Sequence, residues 1–116
     1  MESIAELTSN INAFRDARAG KQFHNPKDMA VSISIEAAEL LEHFQWKNTA
    51  ECEAHVKANR EAVADEIADV AIYLFELADL IDLDLGEAML QKLGKNAGRY
   101  PVEKSKGSNK KYDVLG

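Results

Sequence analysis

The sequence predicts an all-α protein, and three observations carry that prediction. Two prolines and six glycines are all that interrupt 116 residues rich in Ala, Leu, Glu and Lys. Apolar residues recur at three- and four-residue steps, the helical period. Two acidic pairs, Glu36-Ala37-Ala38-Glu39 and Glu66-Ile67-Ala68-Asp69, sit in strongly helical text. Residues three apart share a helix face, so each pair aims two carboxylates the same way. The 26 residues between them, 40–65, suffice to finish one helix, turn, and begin an antiparallel one.

The first helix is expected over residues 2–19, with Ile4, Leu7, Ile11 and Phe14 on its apolar face and Gly20 ending it. Arg15 and Arg18 fall in the last turn, where cations suit the dipole. Gln22-Phe23-His24-Asn25-Pro26 follows as a loop. Asn25 suits a cap, Pro26 the first helical position, and Asp28 the first turn. His24 is open between a surface histidine and a substrate contact.

The second helix is expected from about Lys27 to Gln45, with Met29, Ile33, Ala37, Leu40, Leu41 and Phe44 on its core side. Ser32, Glu36, Glu39 and His43 form a stripe along the edge of that side, and Glu42 points away from it. No Lys or Arg lies between Met29 and Trp46 to pair with Glu36. A carboxylate beside the core needs a partner, because burying an unpaired charge is costly. Trp46-Lys47-Asn48-Thr49 is read as the turn, with Thr49 as the next cap. Trp46 is open between a core aromatic and a wall for a flat base.

The third helical region spans about Ala50 to Ile81, its polar first part to Arg60 either separate or kinked. Beyond it, Val63, Ile67, Val70, Leu74, Leu77 and Ile81 form an apolar arc flanked by Glu66, Asp69, Tyr73 and Glu76. The acidic stripe beside an apolar face thus occurs twice, and packing the two faces brings the stripes together. Asp84 and Glu87 resemble a capping pair for a fourth helix, Leu85 to Ala97, ended by Gly98. The domain expected is 1–101, followed by a basic tail, 102–116.

Net charge of −6 argues against a nucleic-acid polymer as partner. The lone Cys52 cannot form an internal disulfide, which favours a cytoplasmic home. The N-terminal residues carry no apolar signal run and no stretch approaches a membrane span. The sequence lacks the clustered His and Cys ligands of a zinc site, a phosphate-binding glycine loop and a Ser-His-Asp set. Four carboxylates, Glu36, Glu39, Glu66 and Asp69, suit Mg²⁺, which prefers oxygen ligands and is commonly shared with substrate phosphates. The chemistry left is metal-assisted attack of water on phosphorus, with Lys92 and Arg99 available for a polyphosphate. Acids three apart are also common on solvated faces. A helical module binding a basic partner and a phosphatase or phosphodiesterase on the same acids are therefore competing readings.

Several blocks stand in order: Gln22-Phe23-His24-Asn25-Pro26, Glu36-x-x-Glu39, Phe44-Gln45-Trp46-Lys47, Asp65-Glu66-x-x-Asp69-Val70-x-x-Tyr73-Leu74 and Lys92-x-x-x-Asn96-x-x-Arg99-Tyr100-Pro101. Together they resemble the MazG-like superfamily of all-α nucleoside triphosphate pyrophosphohydrolases, most closely its dCTP pyrophosphatase branch. The resemblance implies cleavage of a (deoxy)nucleoside triphosphate to the monophosphate and pyrophosphate. It implies Mg²⁺ on Glu36, Glu39, Glu66 and Asp69. It places His24, Trp46 and Tyr73 near the nucleoside, and Lys92, Asn96, Arg99 and Tyr100 near phosphates or a subunit contact. It also implies a four-helix bundle module assembled as a homodimer or dimer of dimers. Two positions depart from the pattern: Ile35, where many relatives carry a further Glu, and Gly20, where that branch tends to carry Trp.

Overall fold

The computed structural model of the chain describes residues 2–18 and 25–99. Expectations for Gly20, for His24 and its loop, for Tyr100 and for the tail lie outside the described residues. Among those described, the protein is helical with no strand, and it carries five helices rather than four: α1 (Ile4–Ala17), α2 (Pro26–Glu42), α3 (Thr49–Ala58), α4 (Arg60–Leu80) and α5 (Leu85–Arg99). It divides into two units, residues 1–83 with α1 to α4 and residues 84–116 with α5.

The extra helix comes from Asn59, which breaks the third helical region at the point where the polar segment ends. Its amide Nδ2 donates to the carbonyl oxygen of His55 at 3.1 Å, competing with the helical ladder. The backbone at Asn59 leaves helical geometry at φ −126°, ψ 36°, and α4 starts afresh at Arg60.

The other ends follow side-chain capping. Ser3 accepts from the N–H of Glu6 at α1, and Asn25 accepts from the N–H of Asp28 at 2.9 Å at α2, with Pro26 in the first turn. The cap of α3 is Asn48, one residue before the Thr49 expected. Asn48 puts Glu51 at the third position, so both halves of a capping box form, at 2.9 and 3.0 Å; Thr49 would have put Cys52 there. Asp84 caps α5 through the N–H of Glu87. Gly98 does not end α5, which runs on to Arg99. A glycine stops a helix only where the chain turns left-handed, and α5 makes no such turn there.

Within the first unit, α4 is the central rod, and α1, α2 and α3 all pack on it, α2 most extensively. Its core is small: Met29, Val63 and Ala78 are the buried apolar residues described. Asn12 of α1 donates to Asp79 of α4 at 3.0 Å and pins those two helices. Much of the expected apolar face is uncovered: Leu41, Ile67, Leu74 and Ile81 are exposed. Three helices cannot cover the whole of a rod whose apolar arc is this wide.

Candidate metal centre and adjoining cleft

The packing of α2 on α4 brings the two acidic stripes together. Glu36, Glu39 and Glu66 each offer a carboxylate oxygen within 4.8 Å of the others. One oxygen of Glu36 and one of Glu66 are fully buried with no hydrogen-bond partner. Native interiors rarely leave such atoms unpaired. Among the described residues no ion pair to a basic side chain is made by them, in keeping with the absence of Lys and Arg between Met29 and Trp46.

The electrostatic consequence falls on Glu36. Its carboxyl is pushed up to about 7, first by desolvation, then by the carboxyls of Glu39 and Glu66 against it and by the charges of Glu39 and Asp69. Glu66 is raised for similar reasons, desolvation leading. Asp69, the fourth expected ligand, is not in the tight trio but adjoins it closely enough to act on both carboxyls. Buried oxygens without partners, all-carboxylate donors and mutual repulsion fit a hard divalent cation, whose charge reverses the local pKa logic.

Two cavities flank the trio. One, about 520 Å³, is lined by Asn10, Ile11 and Phe14 of α1, Glu36 of α2, and Asp69, Ile72, Tyr73 and Glu76 of α4. Arg18 lies over the Phe14 ring at 3.7 Å and donates to the Phe14 carbonyl, holding the rim. Burial, with Glu36, Glu76 and Asp69 nearby, raises the Tyr73 phenol, so its hydroxyl stays protonated and able to donate. Glu76, expected at the edge of the arc, is buried at 9% exposure.

The second cavity, about 380 Å³, is polar and lined by Glu39, Glu42, His43, His55 and Glu66. Nδ1 of His43 and Nε2 of His55 lie 2.8 Å apart. Asn59 Nδ2 approaches His55 Nδ1 at 3.2 Å and can only donate, which puts the His55 proton on Nε2, donating to His43. Burial, Lys47 and His43 hold the His55 imidazole below its ordinary range, hence neutral.

The remaining expected residues do not gather here. Trp46 lines neither cavity; it is 92% exposed and has φ 68°, the left-handed region. Lys92, Asn96 and Arg99 lie on α5, in the second unit. His24 and Tyr100 lie outside the described residues. Sequence reasoning missed His55, Asn59 and the cleft-lining role of Asn10, Ile11 and Phe14. Only a folded-back α3 reveals the histidine pair, whereas Asn10 and Ile11, four and three residues before Phe14, did mark one face of α1.

Comparisons with known proteins bear on the chain as a whole. A sequence model of the MazG-like family matches residues 31–115. The dCTP pyrophosphatase 1 of Rattus norvegicus is 40% identical over 117 residues, spanning 99% of this chain and 67% of the rat protein. The protein of the same name from Homo sapiens is 37% identical over the same shares of each chain. The crystal structure of a pyrophosphatase from Archaeoglobus fulgidus superposes with a TM-score of 0.81 at 42% identity, covering 87% of this chain and 94% of that one.

Proposed function

The chain belongs to the MazG-like family, and from that premise we propose that it is a Mg²⁺-dependent enzyme hydrolysing dCTP to dCMP and pyrophosphate. That it is a nucleoside triphosphate pyrophosphohydrolase follows from its relatives. The metal, the base and the site residues are the proposal. The observation that supports them most is the trio Glu36, Glu39 and Glu66, with two buried oxygens awaiting a partner.

In this reading Glu36, Glu39 and Glu66, with Asp69 beside them, hold Mg²⁺. The bound ion supplies charge stabilisation on phosphate oxygens and a more acidic water. The protein's own groups bind and orient. Ile11, Phe14, Ile72 and the Tyr73 ring give the nucleoside an apolar cleft that opens onto the acids. The Tyr73 hydroxyl donates to the sugar or the α-phosphate. Lys92, Asn96 and Arg99 serve the outer phosphates or a subunit contact, and His24 and Tyr100 complete the substrate set.

A homo-oligomer belongs to the same proposal. Ile67 and Leu74 of α4 and Ile81 at its C-cap recur every seven residues and are 53, 43 and 53% exposed. Such a stripe is the pattern of a helix–helix seam. No helix among the described residues is long and apolar enough to cross a membrane, and the single cysteine suits a cytoplasmic setting.

The test is incubation with each common dNTP and Mg²⁺, with products identified. Pyrophosphate and dCMP are expected, with loss of at least a hundredfold in kcat for Glu66→Gln. Orthophosphate as first product, or full activity in that variant, rejects the assignment. Sedimentation should give at least twice the 12.9 kDa chain mass.

A further inference from the structure

We infer that Glu76 reads the exocyclic amino group of the substrate's base and so makes the cleft select cytosine over uracil and thymine. The inference rests on the reading that a nucleoside triphosphate is cut at the Glu36–Glu39–Glu66 trio.

The cleft beside the trio has a polar end and an apolar body. Glu36 and Asp69 stand at the metal-binding end, while Ile11, Phe14, Ile72 and the Tyr73 ring form apolar walls. Glu76 is seven residues beyond Asp69 on α4, about 10 Å along the helix axis. That is comparable to the reach of a nucleoside from its 5′-phosphate to the far edge of its base. A substrate whose phosphates sit at the acids therefore brings the edge of its base to Glu76.

Glu76 is the buried charged residue described in the first unit, at 9% exposure, and its side chain lines the cleft. The charged neighbours that act on it are few. Burial raises its carboxyl above the usual range, and Arg15, across from it on α1, pulls it back down. The Arg15 side chain is itself only 13% exposed and is held by Asn12 and Asp16. Glu36, Asp69 and Tyr73 share the cleft.

A carboxylate only accepts hydrogen bonds. Cytosine offers it the 4-amino group, a donor, in the pairing that acidic side chains make with this base. Uracil and thymine present a carbonyl oxygen at the same place, acceptor against acceptor. Against the apolar walls of the cleft that mismatch costs more than it would in bulk water.

The pair dCTP and dUTP isolates the contact, since the two differ only at that edge of the ring. At pH 8, with saturating Mg²⁺, the wild-type ratio of kcat/KM for dCTP over dUTP should exceed tenfold. In Glu76→Gln, whose amide can donate to the uracil carbonyl as readily as it accepts from cytosine, the ratio should fall at least tenfold. The Mg²⁺-induced rise in melting temperature should be unchanged, because the trio is intact. A wild-type ratio near one overturns the inference without any variant being made. So does a Glu76→Gln protein that folds and keeps the wild-type ratio, which would leave Glu76 as a partner of Arg15 alone. Failure of the wild-type protein to cleave any nucleotide is a different outcome: it sinks the reading beneath, and this inference with it.

Discussion

Trp46 gives a sharp prediction, because its strain and its exposure can be weighed separately. A left-handed backbone costs an L-residue roughly 1–2 kcal/mol, and Trp46 at φ 68° bears that cost. Packing returns little. With 92% of the residue exposed, 8% is covered, about 20 Å² of a large aromatic, or roughly 0.5 kcal/mol at 25 cal/mol/Å². Trp46→Gly relieves the strain, loses that packing, and adds about 0.5–1 kcal/mol of chain entropy to the unfolded state. The three nearly cancel, so the glycine variant should melt within about 1 kcal/mol of wild type. Trp46→Ala keeps the strain and should melt lower than the glycine variant by about 1 kcal/mol, roughly 4 °C for a chain this size. Substrate binding should respond differently. If Trp46 stacks on the base, both variants lose about 1–3 kcal/mol, a five- to 150-fold rise in KM for dCTP, equal in the two. Calorimetry and steady-state kinetics on the same three proteins read both effects. A KM unchanged in both variants removes Trp46 from the substrate. A fall of many degrees in both, with dissociation of the oligomer, makes it an assembly anchor instead.

Two further outcomes follow from the acids. Glu36→Gln should raise the melting temperature of the metal-free protein, because it dissolves a repulsive cluster, yet abolish the response to Mg²⁺. In wild type that response is about 2.7 kcal/mol at a hundredfold excess over the dissociation constant, read by calorimetry; a full response in the variant would show that the ion binds elsewhere. The pH dependence has a definite sign. Glu36 takes up its proton near 7 when folded and near 4.5 when unfolded, so the folded chain binds the extra proton and metal-free stability rises as pH falls from 8 towards 4.5. His55 opposes this below its ordinary 6.5, since its folded imidazole resists protonation. Chemical denaturation at pH 8, 7, 6 and 5 should therefore show a rise that flattens below about 6.5, and His55→Gln should remove the flattening. Stability falling from pH 8 to 7 would contradict the clustered carboxyls.

The acidic centre was legible in the sequence because its logic is local. Glu36 and Glu39, and Glu66 and Asp69, are each bound to one face by helix geometry, and the lack of any neighbouring cation is a fact of the text. What brings them together is one packing event, α2 on α4, which two parallel apolar arcs already demand. Three of the four carboxylates meet as that logic requires, and Asp69 stands beside them. Features that depend on a third element were not legible. Glu76 lies on the same stripe as Glu66 and Asp69 by periodicity, and only the cover given by α1 separates a buried acid from a solvated one. The His43–His55 pair needs α3 to fold back across the turn, a placement set by the Asn48 capping box at one end and the Asn59 break at the other. Trp46 could not be read as strained, because its left-handed turn is an outcome of how α2 ends rather than of its own preference.

The expected arcs failed in one consistent direction, and that direction is informative. Ile67, Leu74 and Ile81 were read as core and are exposed, whereas Glu76, on the same helix, was read as an edge residue and is buried. A stable lone protomer should show the reverse, since uncovering large aliphatic side chains and covering a carboxyl both work against folding. The inversion makes sense if the first unit of this chain is not the finished article. The trio is all-carboxylate, and the α4 stripe is a row of exposed aliphatic side chains. Both features involve α4, and they meet at adjacent residues, Glu66 in the trio and the exposed Ile67. A second copy on the stripe, as proposed, would fix the rod that carries Glu66 and Glu76, so assembly, metal and base would all act through the placement of one helix.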